Sequence, residues 1–260
     1  MNFGWELEQK AWDFGDKTAI INPDESKINY RDLNNLSNQM GNVLKQQGIK
    51  KGDVVSTLLP DGYEYVAFVV GAWKIGAITA PLNRAAEVKR WKEMLSATGA
   101  KLLIANVKFL DATEKLLNET SLNKVIIQGD GKTGYDHIEK LLQESSPEFK
   151  IVPCRESDPA NITFTGGTTG ISKAAVATHG MLRYTSRKCQ MLLGTCSKDT
   201  AIMPIATYHT GGISMIGIGI VAGSRHILLG DWSADRFIYL MKKYKHRFSR
   251  SYNRHLRTRF

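Results

Sequence analysis

Short apolar segments alternate with longer amphipathic segments along the chain, and this alternation limits the available folds more than any other feature. Val54–Leu58 is a short apolar run after Gly52-Asp53, which is typical of a strand buried on both faces. Residues 31–47 repeat apolar side chains at helical spacing and are followed by Gly48, a residue type that commonly ends a helix. The alternation predicts an α/β fold in which a largely parallel sheet is flanked by helices.

The same pattern places further elements up to residue 143, and a polar connection follows over residues 144–159. Residues 200–224 contain no Asp, Glu, Lys or Arg, but their proline, histidine and glycines predict a buried strand, loop and helix rather than a membrane span. The predicted strands are residues 18–22, 54–58, 77–80, 102–105 and 125–128. The predicted helices are residues 31–47, 62–75, 86–97, 112–118 and 135–143.

A loop rich in glycine and threonine within residues 162–174 (Ile-Thr-Phe-Thr-Gly-Gly-Thr-Thr-Gly-Ile-Ser-Lys-Ala) carries the densest chemical signal in the chain. Apolar and β-branched residues on both sides of it predict a strand before the loop and a strand after it. Glycines let the backbone approach an anion, threonine hydroxyls donate hydrogen bonds, and Lys173 adds a positive charge. The loop therefore predicts a polyphosphate site. The alternative is a polar hairpin without a ligand, which such a dense set of glycine, threonine and lysine disfavours.

The loop differs from two common nucleotide-binding motifs. In a Walker A loop the lysine follows a glycine directly, whereas Ile171 and Ser172 separate Gly170 from Lys173 here. The Rossmann fingerprint does not fit either, because its Gly-x-Gly-x-x-Gly spacing is not met and a strand, not a helix, is predicted after the loop.

The loop instead resembles the signature of the AMP-forming adenylating enzymes, which include acyl- and aryl-CoA synthetases, luciferases and peptide-synthetase adenylation domains. That signature is Thr-Ser-Gly-Thr-Thr-Gly-x-Pro-Lys-Gly, and this chain departs from it at Gly166, Ser172 and Ala174. The segment around His209 is similar to the family's Pro-x-x-His-x-x-Gly segment, and the resemblance covers about residues 10–245. The matching loop positions are Thr165, Gly167, Thr168, Thr169, Gly170 and Lys173.

The resemblance implies that residues 1–245 form a partial AMP-binding (adenylation) domain, the incomplete N-terminal part of the adenylating-enzyme large domain. It implies activation of a carboxylic acid by ATP to an acyl-adenylate and then to acyl-CoA, with ATP, Mg²⁺ and coenzyme A as cofactors and cosubstrates. Gly166 and the apolar residues 213–221 favour a fatty acid. Lys173, Thr168 and His209 are the implied catalytic residues, and His209 would line the acyl side. The implied nucleotide-binding residues are Thr165, Gly166, Gly167, Thr168, Thr169, Gly170 and Lys173.

The net charge of +10 is concentrated at the end of the chain. Residues 242–260 contain eight basic residues and no acidic one, which leaves +2 for residues 1–241. Family members run to about twice this length, and their adenine- and ribose-binding motifs are not found here. Residues 246–260 form a basic tail where a buried strand is expected, which favours a truncated, out-of-frame or disordered end. The chain is therefore not expected to be competent alone, and self-association or pairing with a missing C-terminal part is expected.

Two other functions remain compatible with the residues. The loop could bind phosphate in a module without catalysis, or the basic tail could bind nucleic acid or an anionic membrane surface. Three cysteines without paired spacing argue against a disulfide framework or a zinc site, and the N-terminus lacks a signal-peptide pattern, so a cytoplasmic protein is expected. Among single residues, His179 is expected to cap a helix, and Trp73, Trp91 and Trp232 are expected to lie in or over the core.

Overall fold

The structure of the protein is a computed structural model, and it describes residues 1–164 and 173–244. The helices are α1 (Trp5–Phe14), α2 (Tyr30–Gln46), α3 (Tyr63–Lys74), α4 (Val88–Thr98), α5 (Leu110–Glu119), α6 (Ile138–Gln143), α7 (His179–Leu193), α8 (Thr210–Ala222) and α9 (Ala234–Tyr244). The strands are β1 (Thr18–Ile21), β2 (Lys27–Asn29), β3 (Val54–Leu58), β4 (Ile78–Thr79), β5 (Leu102–Asn106), β6 (Lys124–Gln128), β7 (Asp136–His137), β8 (Pro159–Phe164), β9 (Ala174–Thr178), β10 (Thr200–Met203) and β11 (Arg225–Leu228).

The larger of the two sheets contains seven strands in the order β7-β6-β5-β3-β4-β8-β9. Neighbouring strands are parallel except β9, which pairs antiparallel with β8 and places Ala174 opposite Phe164. All residues of the central strand β3 are buried, as expected where helices cover both faces of a sheet. The predicted α/β fold with a largely parallel sheet is confirmed.

The smaller sheet contains four strands in the order β10-β11-β1-β2. Strand β1 runs parallel to β11, with Ile20 opposite His226, and antiparallel to β2. The chain therefore builds this sheet from two segments, residues 18–29 and 200–228, that flank the whole of the larger sheet in sequence.

One hydrophobic cluster contains side chains of both sheets, among them Ile20 of β1 and Val55 of β3. Helix α3 lies within this cluster, and its residues from Tyr65 to Lys74 are all buried. Helix α2 crosses α3 closely, because a Cβ atom on Gly71 would lie 2.7 Å from the carbonyl oxygen of Ser37. The two sheets thus share a core in which α3 is a central element.

The elements predicted before residue 143 are present, and their ends differ by at most three residues from the predicted ones. Helix α1 was not predicted, because its buried positions include Glu6 beside Leu7 while Trp12 is exposed. The predicted strand, loop and helix of residues 200–224 are confirmed as β10 and α8. Within the described part of the chain, no helix combines the length and the apolar character needed to cross a bilayer.

The predictions for single residues were partly wrong. The α7 cap is Thr178, whose Oγ1 accepts a hydrogen bond from the Met181 amide at 3.2 Å, whereas His179 is fully buried. The Nδ1 atom of His179 accepts from the Phe3 amide at 3.2 Å, so the ring ties the N-terminus to α7. Trp73 and Trp91 are core residues, as expected. Trp232 is 62% exposed and packs over Phe237, with ring centroids 5.5 Å apart, which agrees with the expected position over the core.

Candidate functional site

The predicted phosphate loop connects two neighbouring strands of the larger sheet. Phe164 ends β8, Ala174 begins β9, and the two residues pair across the antiparallel ladder. Lys173 is exposed and immediately precedes β9. The strands predicted before and after the loop residues are confirmed as β8 and β9. The other predicted phosphate-binding residues lie outside the described part of the chain: Thr165, Gly166, Gly167, Thr168, Thr169 and Gly170.

His209 lies on the segment that leaves the smaller sheet after β10 and enters α8. It occupies the N-cap position of α8, is exposed, and makes no side-chain capping hydrogen bond. The ring of Tyr208 lies beside it, with centroids 4.4 Å apart. We call residues 204–209 the His209 segment. Its position at the start of α8 places the imidazole at the protein surface, where it can meet a ligand.

A buried cluster of polar side chains holds the His209 segment. Oδ1 of Asp61 accepts hydrogen bonds from the backbone amide of Thr207, at 3.0 Å, and from the Thr207 hydroxyl. Arg84 donates to both carboxylate oxygens of Asp61, each at 3.0 Å, and to the carbonyl oxygen of Leu59 at 3.0 Å. The Tyr65 hydroxyl donates to the Thr207 carbonyl oxygen at 3.2 Å. These contacts join the larger sheet to the segment that follows β10.

The electrostatics of this cluster favour a charged pair. Burial opposes the charge of Arg84, but hydrogen bonding to Asp61 and the charge of that carboxylate outweigh it, and the pKa of Arg84 is raised above its ordinary value. Burial also raises the pKa of the Tyr65 and Tyr208 hydroxyls, so both stay protonated at neutral pH. The guanidinium of Arg84 lies 5.1 Å from the Tyr208 ring centroid, a distance at which cation–π attraction operates.

Asp61 and Arg84 are not among the site residues predicted from the sequence. Asp61 follows the buried strand β3 and Arg84 follows β4, so both lie beyond the carboxyl ends of parallel strands. Ligands commonly bind at that edge of an α/β sheet. This placement is the signal that could have identified them, although their contact with Thr207 depends on a distant part of the chain.

Mg²⁺ could bind where several ligand side chains meet, and Asp61 is the buried carboxylate of the cluster described above. The described residues contain no group of three or more His, Cys, Asp or Glu side chains that could hold a metal ion. Both oxygens of Asp61 accept hydrogen bonds from Arg84, and Oδ1 also accepts one from the Thr207 amide. Because these hydrogen bonds engage both of its oxygens, Asp61 does not fit the role of a Mg²⁺ ligand.

Two further histidines lie in the core and away from this cluster. His179 and His226 are both buried, and burial is the main cause that lowers the pKa of each from 6.5 to about 4. The Nε2 atom of each ring has no hydrogen-bond partner among the described residues. Both rings are therefore neutral structural groups at neutral pH.

The described residues form an α/β domain in which the predicted phosphate-binding residues follow β8 and precede β9. The sequence model of the AMP-binding enzyme family matches residues 7–258, and the chain belongs to this family. The fold is that of the inhibitor-bound N-terminal domain of FACL13 from Mycobacterium tuberculosis. The TM-score is 0.86 at 23% identity, and the match covers 94% of this chain and 61% of that chain.

Two curated relatives are CoA ligases. The long-chain-fatty-acid–CoA ligase FadD13 of Mycobacterium tuberculosis is 24% identical over 236 residues, which are 90% of this chain and 46% of the relative. The crotonobetaine/carnitine–CoA ligase of Salmonella enteritidis is 28% identical over 260 residues, which cover 93% of this chain and 50% of the relative. The chain spans about half the length of the curated relatives it matches.

Proposed function

We propose that the protein activates a carboxylic acid with ATP, giving an acyl-adenylate and then an acyl-CoA thioester. The observation that carries this proposal is the family match over residues 7–258, which includes the glycine- and threonine-rich loop between β8 and β9. A loop joining adjacent strand ends can direct several backbone N–H groups towards one anion. That arrangement suits the triphosphate of a nucleotide.

The proposed reaction has two substitution steps, and neither requires an oxidant or a reductant. The carboxylate oxygen attacks the α-phosphorus of ATP, and pyrophosphate leaves with the electron pair of the broken P–O bond. The thiol sulfur of coenzyme A then attacks the acyl carbon, AMP leaves, and the thiol proton is released. In the first step, Thr168 and Lys173 stabilise the charge that grows on the leaving pyrophosphate, together with Mg²⁺ bound to the phosphates.

A fatty acid is the proposed substrate, and His209 is the proposed residue on the acyl side. FadD13 is named for long-chain fatty acids, and the Thr-Gly-Gly start of the loop favours the same class. The apolar run of residues 213–221 supports it less than the sequence suggested, because Ile213, Ile216 and Ile220 are buried in the protein core. The exposed position of His209 at the start of α8 is compatible with contact to an acid.

We further propose that catalysis requires a C-terminal part that pairs with this chain, and that the reaction takes place in the cytoplasm. In this proposal the present chain binds the substrates and the pairing part completes the reaction; the chain spans about half the length of its curated relatives. Carboxylic acid, ATP and coenzyme A are the proposed binding partners.

The test uses a non-hydrolysable acyl-adenylate analogue, a long-chain acyl sulfamate of adenosine, titrated into the purified chain. Binding should be at least about tenfold tighter than that of the adenosine sulfamate without the acyl chain, because the analogue resembles the reaction intermediate. Equal affinity for both compounds, with retained MgATP binding, would instead favour a phosphate-binding module without catalysis. Absence of binding by either compound and by MgATP would contradict the proposed function.

Carboxylate-dependent ATP–pyrophosphate exchange then tests catalytic competence separately. The chain alone is expected to show little exchange, and exchange should require the fatty acid. Robust acid-dependent exchange by the chain alone would support acid activation and overturn the requirement for a C-terminal part.

A further inference from the structure

We propose that Asp61 and Arg84 are positioning residues that hold the His209 segment against the larger sheet and thereby set the place of His209 beside the carboxylic acid. This inference rests on the proposed function, because it assigns these residues a role at the acyl side of that site. Asp61, Arg84 and the His209 segment all lie among the described residues.

The hydrogen bonds of the His209 segment cross from one sheet to the other. The segment follows β10 of the smaller sheet, yet the Thr207 amide and hydroxyl donate to Asp61, which follows β3 of the larger sheet. The Thr207 carbonyl accepts from Tyr65 of α3 at 3.2 Å. Within the segment, the His209 amide donates to the Ala206 carbonyl at 3.1 Å. The position of Thr207 is thus set by groups that belong to the larger sheet and to α3.

Arg84 makes the Asp61 carboxylate a fixed acceptor. The two side chains are only 14% and 3% exposed, respectively, and the guanidinium meets the carboxylate through two parallel hydrogen bonds. A bidentate pair of this kind restricts the carboxylate orientation more than a lysine would. A third hydrogen bond, to the Leu59 carbonyl, fastens Arg84 to the end of β3. Removing Arg84 would leave the Asp61 charge buried and poorly compensated.

A second series of contacts connects Arg84 to His209 through the Tyr208 ring. The guanidinium lies 5.1 Å from the Tyr208 ring centroid, and the Tyr208 ring centroid lies 4.4 Å from that of His209. The segment also packs closely on α8, since a Cβ atom on Gly212 would lie 2.4 Å from the Ala206 carbonyl oxygen. The segment therefore contacts both α8 and the Arg84 side chain, and loss of Arg84 removes one of these two contacts.

The same strand offers a matched control at its other end. Asp53 precedes β3 and pairs with Lys101 at 2.6 Å, whereas Asp61 follows β3 and pairs with Arg84. Asp53 accepts a hydrogen bond from the Lys50 amide at 2.8 Å, so it also holds a backbone segment. Asp53→Asn disrupts the corresponding ion pair at the edge of the sheet that does not carry His209.

The experiment measures binding of two probes to the purified chain and to its Arg84→Gln and Asp53→Asn variants. The probes are the long-chain acyl sulfamate of adenosine and MgATP. In Arg84→Gln, affinity for the acyl probe should fall by about tenfold or more, because misplacement of an orienting group by about 1 Å is costly. Affinity for MgATP should change by less than threefold, and Asp53→Asn should leave both affinities unchanged. A parallel loss of both affinities in Arg84→Gln, or no loss of either, would overturn the positioning role.

Two further measurements keep folding effects separate. Hydrogen exchange at the Thr207 amide should accelerate in Arg84→Gln and not in Asp53→Asn, and unchanged exchange in Arg84→Gln would contradict the anchoring. Arg84→Gln should lower the midpoint of unfolding, because it leaves the Asp61 charge unpaired. The double variant Asp61→Asn/Arg84→Gln leaves no unpaired charge, so its midpoint should return towards that of the wild type while its affinity for the acyl probe stays low. Recovery of that affinity would overturn the positioning role. If the wild-type chain binds neither probe, the proposed function fails, and exchange at Thr207 still decides whether the segment is held.

Discussion

The two sheets of the molecule differ in how their strands are distributed along the sequence. The seven strands of the larger sheet come from one continuous stretch, residues 54–178, whereas the four strands of the smaller sheet come from residues 18–29 and 200–228. Closing a long loop costs more conformational entropy than closing a short one, although the cost grows slowly with length. The smaller sheet therefore depends on packing against the rest of the molecule, and the His209 segment that follows β10 depends on it in turn.

The proposed site combines one part from each region. The residues on either side of the predicted phosphate loop belong to neighbouring strands β8 and β9 of the larger sheet. The His209 segment is attached to the smaller sheet, but Asp61 and Tyr65 on the larger-sheet side hold it in place. This difference predicts that substitutions in the shared core, in the smaller sheet and at the amino end of β3 will change the free energy of unfolding by different amounts.

The largest expected effect comes from removing a side chain at the centre of the shared core. Trp73 is fully buried, and its indole N–H donates to the Ala160 carbonyl at 3.1 Å. Trp73→Ala should lower the free energy of unfolding, measured by urea denaturation, by about 4 kcal/mol. Trp12 is 88% exposed, so Trp12→Ala is a matched control expected to change that free energy by less than about 0.5 kcal/mol. Equal losses in the two variants would contradict the central position of α3.

The smaller sheet can be tested by acidification, because His226 of β11 is buried and its Nδ1 lies 3.3 Å from the Met203 sulfur. Burial, with a smaller contribution from the charge of Lys17, lowers the pKa of His226 from 6.5 to about 4. The unfolded chain binds a proton below about pH 6.5 and the folded chain does not, so stability is lost as the pH falls from 6.5 towards 4. His226 should contribute a loss of about 3 kcal/mol over this window.

The measurement compares the free energy of unfolding of the wild type and His226→Phe between pH 7 and pH 4. The variant should lose less stability than the wild type over this range. It should keep part of the pH dependence, because the pKa of His179 is also lowered to about 4 by burial. Identical pH profiles for the two proteins would show that His226 titrates normally and that the smaller sheet does not bury it.

The contact between α2 and α3 in the shared core can be tested at alkaline pH through Lys74 of α3. Its ammonium donates to Asn34 Oδ1 at 2.7 Å and to Ser37 Oγ at 2.8 Å, but burial lowers its pKa from 10.5 to about 7, against a weaker opposing effect of Glu8. The folded chain loses this proton near pH 7 and the unfolded chain near pH 10.5, so stability should rise between these values. The expected slope is about 1.4 kcal/mol per pH unit.

Lys74→Met removes the titrating group, so its free energy of unfolding should vary less with pH than that of the wild type between pH 7 and pH 9. This pH range lies above the range in which His226 acts. His226→Phe should therefore change the acidic part of the pH–stability profile, and Lys74→Met should change its alkaline part. A wild-type slope that persists in Lys74→Met would assign the pH dependence to another group.

The smallest effect is expected at the amino end of β3, far from the His209 segment. Asp53 pairs with Lys101, whose side chain is 48% exposed, so solvent screens the interaction. Asp53→Asn should lower the free energy of unfolding by less than about 1 kcal/mol, measured by urea denaturation. A loss as large as that of Arg84→Gln would remove the distinction between the two ends of this strand.

The sequence predicted elements well where a single segment contains its own pattern. The helix at residues 31–47 was found because Leu33, Met40 and Val43 repeat at helical spacing, and these side chains are buried in α2. The pairing of β1 with β11 could not be predicted, because two strands of four residues each carry no information about a partner so distant in sequence. Asp61 and Arg84 were missed for the same reason, since their importance appears only when Thr207 is brought to them.

Calorimetric titration of MgATP into the purified chain tests the claim that the loop ending at Lys173 binds the triphosphate of ATP. One binding site per chain is expected, with an affinity at least about tenfold lower in Lys173→Ala, because a lysine that neutralises phosphate charge contributes more than about 1.4 kcal/mol. The Asp53→Asn chain should bind as the wild type does. Absence of MgATP binding, or equal affinity in Lys173→Ala, would contradict the claim.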